Sequence, residues 1–179
     1  ILGMLMRMPA SLVLLVGPGG VGCSSICHGL QAAKDDPAMP FDIISKRLFW
    51  LDTDGLFSSG VHSVISDAFQ KLRRTLLRTA SSVLIIDDAR DFIDAARNNG
   101  STHLINAIMR DVHNGKYNCI LEARDEDLEV VLKCHSNMRE IFTMMDVREP
   151  APEALRELAL QVSQALHAHH RLPLSEAAV

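Results

Sequence analysis

The chain has 179 residues, 47% of them apolar and 22% charged, with a formal net charge of −4. That much apolar chain can bury one sizeable core, so a single domain spanning 1–179 is expected. The acidic balance, with no basic run longer than Arg73-Arg74, supplies no electrostatic pull toward nucleic acid or an anionic membrane, so a nucleic-acid partner is not expected.

The opening stretch ILGMLMRMPASLVLLVG is apolar but is split by Arg7 and Pro9. It falls short of the roughly 18 uninterrupted apolar residues that a membrane span requires, and no basic region precedes it as in a signal peptide. Apolar, β-rich runs then recur at 11–16 (SLVLLV), 47–52 (RLFWLD), 82–87 (SVLIID), 117–123 (YNCILEA) and 142–147 (FTMMDV). None alternates strictly, which predicts buried parallel strands. Helical patterns separate them. SSICHGLQAAK, 24–34, continues from the first strand, and VHSVISDAFQKLRRTLL, 61–77, sets Val61, Ile65, Ala68, Leu72 and Leu76 on one stripe. STHLINAIMRDV, 101–112, does the same with Leu104, Ile105, Ile108 and Val112, with Ser101 or Thr102 as cap. A last helix is expected from Pro152 to about His169, and the main loops at 34–42 and 97–102. Strand, crossover helix, strand, repeated, predicts a doubly wound α/β sheet. Cys23, Cys27, Cys119 and Cys134 lack CxxC spacing, which suits reduced thiols and a cytoplasmic setting.

The chemistry concentrates in VGPGGVGCS, 16–24. A phosphate-binding loop reads G-x-x-x-x-G-K-[ST] between a strand and a helix. Gly17, Gly22 and Ser24 match, with Gly19, Gly20, Val21 and Ser25 completing a loop whose backbone N–H groups could wrap a phosphate at a helix N-terminus. The lysine that would reach the β- and γ-phosphates is replaced by Cys23. The companion element, an apolar strand ending in Asp, is SSVLIIDDA: Asp87 is placed to hold Mg2+ with Ser24 as the other ligand. Asp88 stands where a catalytic glutamate is usual. Aspartate is one methylene shorter, and a displacement of about 1 Å at the reacting atom costs about a hundredfold.

Taken in order, these motifs resemble an AAA+ module of the Clp disaggregase and unfoldase family, like the first ATPase domain of ClpB and of the type VI secretion ATPase ClpV. The resemblance runs through almost the whole chain. ILGMLMRMPASLVLLVGPGGVG parallels the family's helix, linker, strand and Walker A loop; RLFWLDTDGLFSSG the strand and loop leading to the substrate pore; SSVLIIDDARDFIDAARNNG the Walker B strand and following loop. NAIMRDVHNGKYNCILEARDEDLEVVL parallels the helix, sensor strand and next helix, and the segment from FTMMDV onward the "EPS" turn and "LHH" helix. The resemblance implies a three-layer P-loop NTPase fold with a five-stranded parallel sheet in the order 5-1-4-3-2, the lid domain largely absent, and a chain that is part of a longer protein. It also implies ATP or ADP with Mg2+ as ligands and membership of a homo- or hetero-oligomeric ring.

The departures fall on the catalytic positions: Cys23 for the lysine, Asp88 for the glutamate, Ala123 with Arg124 at the sensor position, His62 at the pore-loop aromatic. Of the two arginines that members place before the fifth strand, NMREIF keeps only Arg139, with Glu140 and Ile141 following. Loss of such an arginine slows phosphoryl transfer by orders of magnitude. The expectation is therefore a degenerate ATPase with impaired or absent hydrolysis, serving as a structural or regulatory module. A working protein-remodelling ATPase that tolerates Cys23 is the alternative, and a scaffold acting through the SSGVHS loop a third. Three other constellations were weighed: LFWLDTDGLF with LIIDD as a haloacid-dehalogenase-like acidic set, Cys23, Cys27 and His28 as metal ligands, and His167, His169 and His170 as a metal site at a helix end. Incompatible spacing disfavours the first, and buried thiols and a solvated helix end are the simpler accounts of the others.

Overall fold

The computed structural model describes residues 12–34, 36–135 and 138–170, without the side chains of 139, 161 and 164–170. In chain order the elements are β1 (Leu12–Gly17), α1 (Cys23–Ala33), α2 (Phe41–Ile44), β2 (Arg47–Trp50), α3 (Thr53–Phe57), α4 (His62–Arg78), β3 (Ser82–Ile86) and α5 (Ala89–Asn98). There follow α6 (His103–His113), β4 (Asn118–Arg124), a 3-10 turn (Asp125–Asp127), α7 (Leu128–Lys133), α8 (Met138–Ile141), β5 (Phe142–Asp146) and α9 (Pro152–His170). The chain groups into two compact units, Ile1–Val147 and Arg148–Val179. The opening segment and the end of the chain lie outside the described residues.

The five strands form one parallel sheet in the order β2-β3-β4-β1-β5, which is the expected order read from the other edge. Burial follows position. The central strands β1 and β3 are buried at every residue, whereas the edge strand β2 is exposed at Arg47 and Trp50, and β5, at the other edge, is buried only at Phe142. Two cores lie on opposite faces of the sheet. Val13, Leu15, Val83, Ile85 and Ile120 meet Cys27 and Leu30 of α1 and Ile43 of α2 on one face. Leu12, Leu14, Leu84, Ile86 and Leu121 meet residues of α3 to α8 on the other. Helix, sheet, helix gives the three layers that the resemblance implies.

Four local expectations are corrected. Residues 89–98, read as a loop after the acidic strand end, form α5, with Phe92, Ile93 and Ala96 buried at helical spacing and Asp88 as its N-cap. The loop assigned to 34–42 ends early, because α2 starts at Phe41. Of the expected α4 stripe, Ile65 and Leu76 are buried and Leu72 packs against the core, with Phe69 added, whereas Val61 precedes the helix as its N-cap and is 51% exposed. Neither Ser101 nor Thr102 caps α6 through its side chain; the Ser101 hydroxyl donates to the Asn99 carbonyl instead, at 3.2 Å.

Candidate functional site

The glycine loop leaves the end of β1 and turns into α1. Gly20 and Gly22 sit at φ +85° and +104°, in the left-handed region where a side chain would be strained, and Gly22 is the N-cap of α1. Val21 N–H closes the turn onto the Pro18 carbonyl at 3.1 Å. Gly17 is needed for another reason: a Cβ there would collide with the Val147 carbonyl oxygen at the end of β5.

Above this loop lies a cavity of about 680 Å3 that gathers nearly every residue singled out from the sequence. Gly17, Gly19, Gly20, Val21, Gly22, Cys23, Ser24 and Ser25 line it, as do Asp87 and Asp88, Ala123 and Arg124. His62 does not. It begins α4, where its Nδ1 lies 3.3 Å from the Ser101 hydroxyl and its ring 5.1 Å from that of His103. The side chains of Arg139, His167, His169 and His170 lie outside the described residues. Asp88 has an architectural task, since its Oδ1 accepts the Asp91 N–H at 2.9 Å and caps α5. Asp52 does the same for α3, accepting from Gly55 N–H at 2.9 Å.

A further cavity residue, Glu122, went unrecognised in the sequence. It belongs to β4, which runs between β1 and β3 and so ends between the glycine loop and Asp87. Strand alternation sets it on the same face as Ile120, toward α1, while Ala123 takes the opposite face. Glu122 is 4% exposed. Its Oε2 accepts a 2.8 Å hydrogen bond from the Ser24 hydroxyl, and its Oε1 is buried without a hydrogen-bond partner. Burial lifts its carboxyl above the usual carboxylate range and the Asp87 charge adds to this, against the pull of the Cys27 thiol, the Ser24 hydroxyl and His28. Burial and the Glu122 charge likewise raise Cys23 and Cys27, which remain thiols. The signal for Glu122 was an acidic residue inside an otherwise apolar strand, YNCILEA.

Among the described residues no group of three or more His, Cys, Asp or Glu side chains is arranged to hold a metal ion. His28 instead stacks on Trp50, with ring centroids 5.4 Å apart.

The fit of Mg-ATP to this cavity divides between backbone and side chains. The glycine turns and the start of α1 offer the amide cradle of a phosphate site. The side chains oppose it: among the described residues Asp52, Asp54, Asp87, Asp88, Asp91 and Glu122 line the cavity with Arg124 as the one cation, and the Ser24 hydroxyl already donates to Glu122. The donor set does not fit a nucleoside triphosphate.

A parallel sheet of this order, with a glycine loop leading from an inner strand into a helix and an acidic pair ending a strand two places away, defines the AAA+ type of P-loop NTPase fold. No family model matches the chain. Sequence comparison finds an ATP-dependent Clp protease ATP-binding subunit, a ClpA homolog, of Cyanidium caldarium, 23% identical over 167 residues, covering 93% of this chain and 20% of the relative. It also finds the chaperone protein ClpB of Helicobacter hepaticus, 20% identical over 176 residues, covering 98% and 20%. Among solved structures, the Hsp104-ADP complex of S. cerevisiae superposes with a TM-score of 0.80 at 19% identity, over 99% of this chain and 25% of that one. In sequence and in fold the chain is similar to Clp-type AAA+ domains, and it spans about 20% of the length of the curated relatives it matches. None of the described helices is long and apolar enough to cross a membrane.

Proposed function

We propose that this Clp-type AAA+ domain has impaired or absent ATP hydrolysis and acts as a structural or regulatory module of a protein-remodelling or secretion-associated assembly, in a cytoplasmic ring with protein partners. The observation that carries this reading is the Ser24–Glu122 hydrogen bond. The hydroxyl that would ligand Mg2+ is engaged by a buried carboxylate, and the neighbouring position that would carry the neutralising ammonium holds the thiol of Cys23. With Asp88 committed to capping α5, the residue at the place of the catalytic glutamate orients a backbone amide rather than a water.

The relatives are ATP-binding subunits by name, and one structural neighbour holds ADP. The competing reading, an active unfoldase or disaggregase domain, draws on that kinship. Calorimetric titration with Mg-ATP and Mg-ADP alongside a phosphate-release assay separates the two. No release above background is expected. Turnover that disappears in Asp87→Asn would overturn the proposal and establish the active enzyme.

A further inference from the structure

Arg73, Arg90, Arg97, Arg124 and Lys133 are each held in an ion pair. Among the described residues Arg47, Lys71, Arg74, Arg78, Arg110 and Lys116 are exposed and belong to none. The fold gathers these six at one end of the sheet. Arg47 opens β2, and its backbone N–H donates to the Ser81 carbonyl, just after α4, at 3.1 Å. Lys116 precedes β4, which enters the sheet beside β3 where Asn118 pairs with Val83. Arg74 and Arg110 adjoin the Arg73–Asp111 pair that ties α4 to α6. This is the amino-terminal end of β2, β3 and β4, opposite the end that carries Asp87 and the cavity. Of the six, Arg78 and Arg110 stand in the last turn of a helix, where its dipole accounts for a cation; the other four have no such structural reason. On α4 the spacing of Lys71, Arg74, Leu77 and Arg78 makes one solvent-facing stripe about 10 Å long, in which Leu77 is 42% exposed.

We propose that this face docks an acidic segment of a protein partner, with carboxylates meeting the α4 stripe and an apolar side chain covering Leu77. The face lies at the other end of the strands from the cavity, so nothing in it depends on how the cavity handles nucleotide. Charge complementarity chooses the occupant. Four of the six cations are arginines, whose planar fork of donors matches a carboxylate with two parallel bonds, and arginine clusters are a recurrent means of holding acidic motifs. Nucleic acid fits less well. Its charge runs on past a short patch and would meet the field of a chain whose formal net charge is −4, and the stripe offers the aliphatic Leu77 rather than an aromatic ring on which a base stacks. The same acidic remainder opposes a broad anionic membrane. A short acidic segment touches the patch alone, and Leu77 gives it an apolar contact that simple charge attraction would leave unused.

The test is fluorescence anisotropy of the full chain titrated into a fluorescein-labelled peptide, Glu-Glu-Leu-Glu-Glu-Leu-Glu-Glu, with a copy carrying glutamine at every glutamate as the uncharged control. The acidic peptide is expected to bind, and to bind less well as ionic strength rises. Arg74→Glu combined with Arg78→Glu should weaken it at least about tenfold. Arg47→Gln combined with Lys116→Gln, off the helix, should weaken it too, as should Leu77→Ser. Arg97→Gln, on α5 and paired with Asp94, should leave it unchanged. Thermal melting verifies that each variant is folded. The proposal is overturned if the glutamine peptide binds as tightly as the acidic one, or if both paired variants bind like the parent. It is equally overturned if labelled oligothymidine or phosphatidylserine vesicles bind more tightly than the acidic peptide at the same ionic strength, which would assign the face to nucleic acid or to a membrane.

Discussion

Ser24, in the first turn of α1, and Glu122, on β4, lie 98 positions apart and share a 2.8 Å hydrogen bond. The bond turns the hydroxyl inward and ties helix to sheet. It also sets a carboxylate beneath a loop whose geometry suits anions, so the loop's shape and its charge are at odds.

Restoring the lysine alone should therefore fail. The Cys23 position already feels the Glu122 charge, and an ammonium placed there would be drawn to that carboxylate before any phosphate. Cys23→Lys is expected to bind Mg-ADP weakly or not at all, while Cys23→Lys with Glu122→Ala binds at least about tenfold tighter than the single variant. Equal affinities in calorimetry would show that Glu122 is not the obstacle.

Glu122 should also mark the pH dependence of stability. Burial first and Asp87 second raise its carboxyl in the folded state, so the folded chain holds that proton more tightly than the unfolded one. Its contribution is full below the ordinary glutamate value and is lost as pH rises through the raised folded one. Glu122→Gln removes the titration. Its melting temperature should exceed the parent's at neutral and alkaline pH, by about 2–4 °C per kcal/mol, and the gap should close as pH falls. A gap that stays constant with pH would refute this account.

Away from the cavity, Arg73 of α4 holds Asp111 of α6 with two bonds, Nε to Oδ2 at 2.6 Å and Nη2 to Oδ1 at 2.9 Å. Asp111 is buried. Arg73→Met strands that carboxylate and should cost about 3 kcal/mol by chemical denaturation. The double variant Arg73→Met, Asp111→Leu should recover most of the loss, since what is removed with Asp111 is the uncompensated charge.

The phase of α4 makes a separate prediction. Phe69 is 1% exposed in the core whereas Val61 lies outside it. Phe69→Ala should cost about 3–5 kcal/mol and Val61→Ala within about 0.5. Comparable losses in denaturant titrations would place Val61 in the core beside Phe69 and refute this burial pattern.

The sequence by itself determined what local chemistry dictates. Unbroken apolar runs such as SVLII read as inner strands because both faces of a parallel sheet are covered. The glycines of VGPGGVGCS marked a tight loop between strand and helix, and the structure sets Gly20 and Gly22 in the left-handed region that only glycine adopts freely. Pro152 marked the start of α9 because its ring presets the first helical turn. Even α5 was legible in retrospect, from Asp88 and the spacing of Phe92, Ile93 and Ala96, although the motif order drew those residues into a loop. The tertiary structure alone decided what depended on packing between distant segments. Periodicity identifies α4 as a helix, but that Phe69 joins Ile65 and Leu76 in the core depends on the packing beneath it. Glu122 carried no site reading in the sequence. The insertion of β4 between β1 and β3, with alternation turning position 122 toward α1, brought its carboxylate to Ser24 and added a buried acid to the cavity wall.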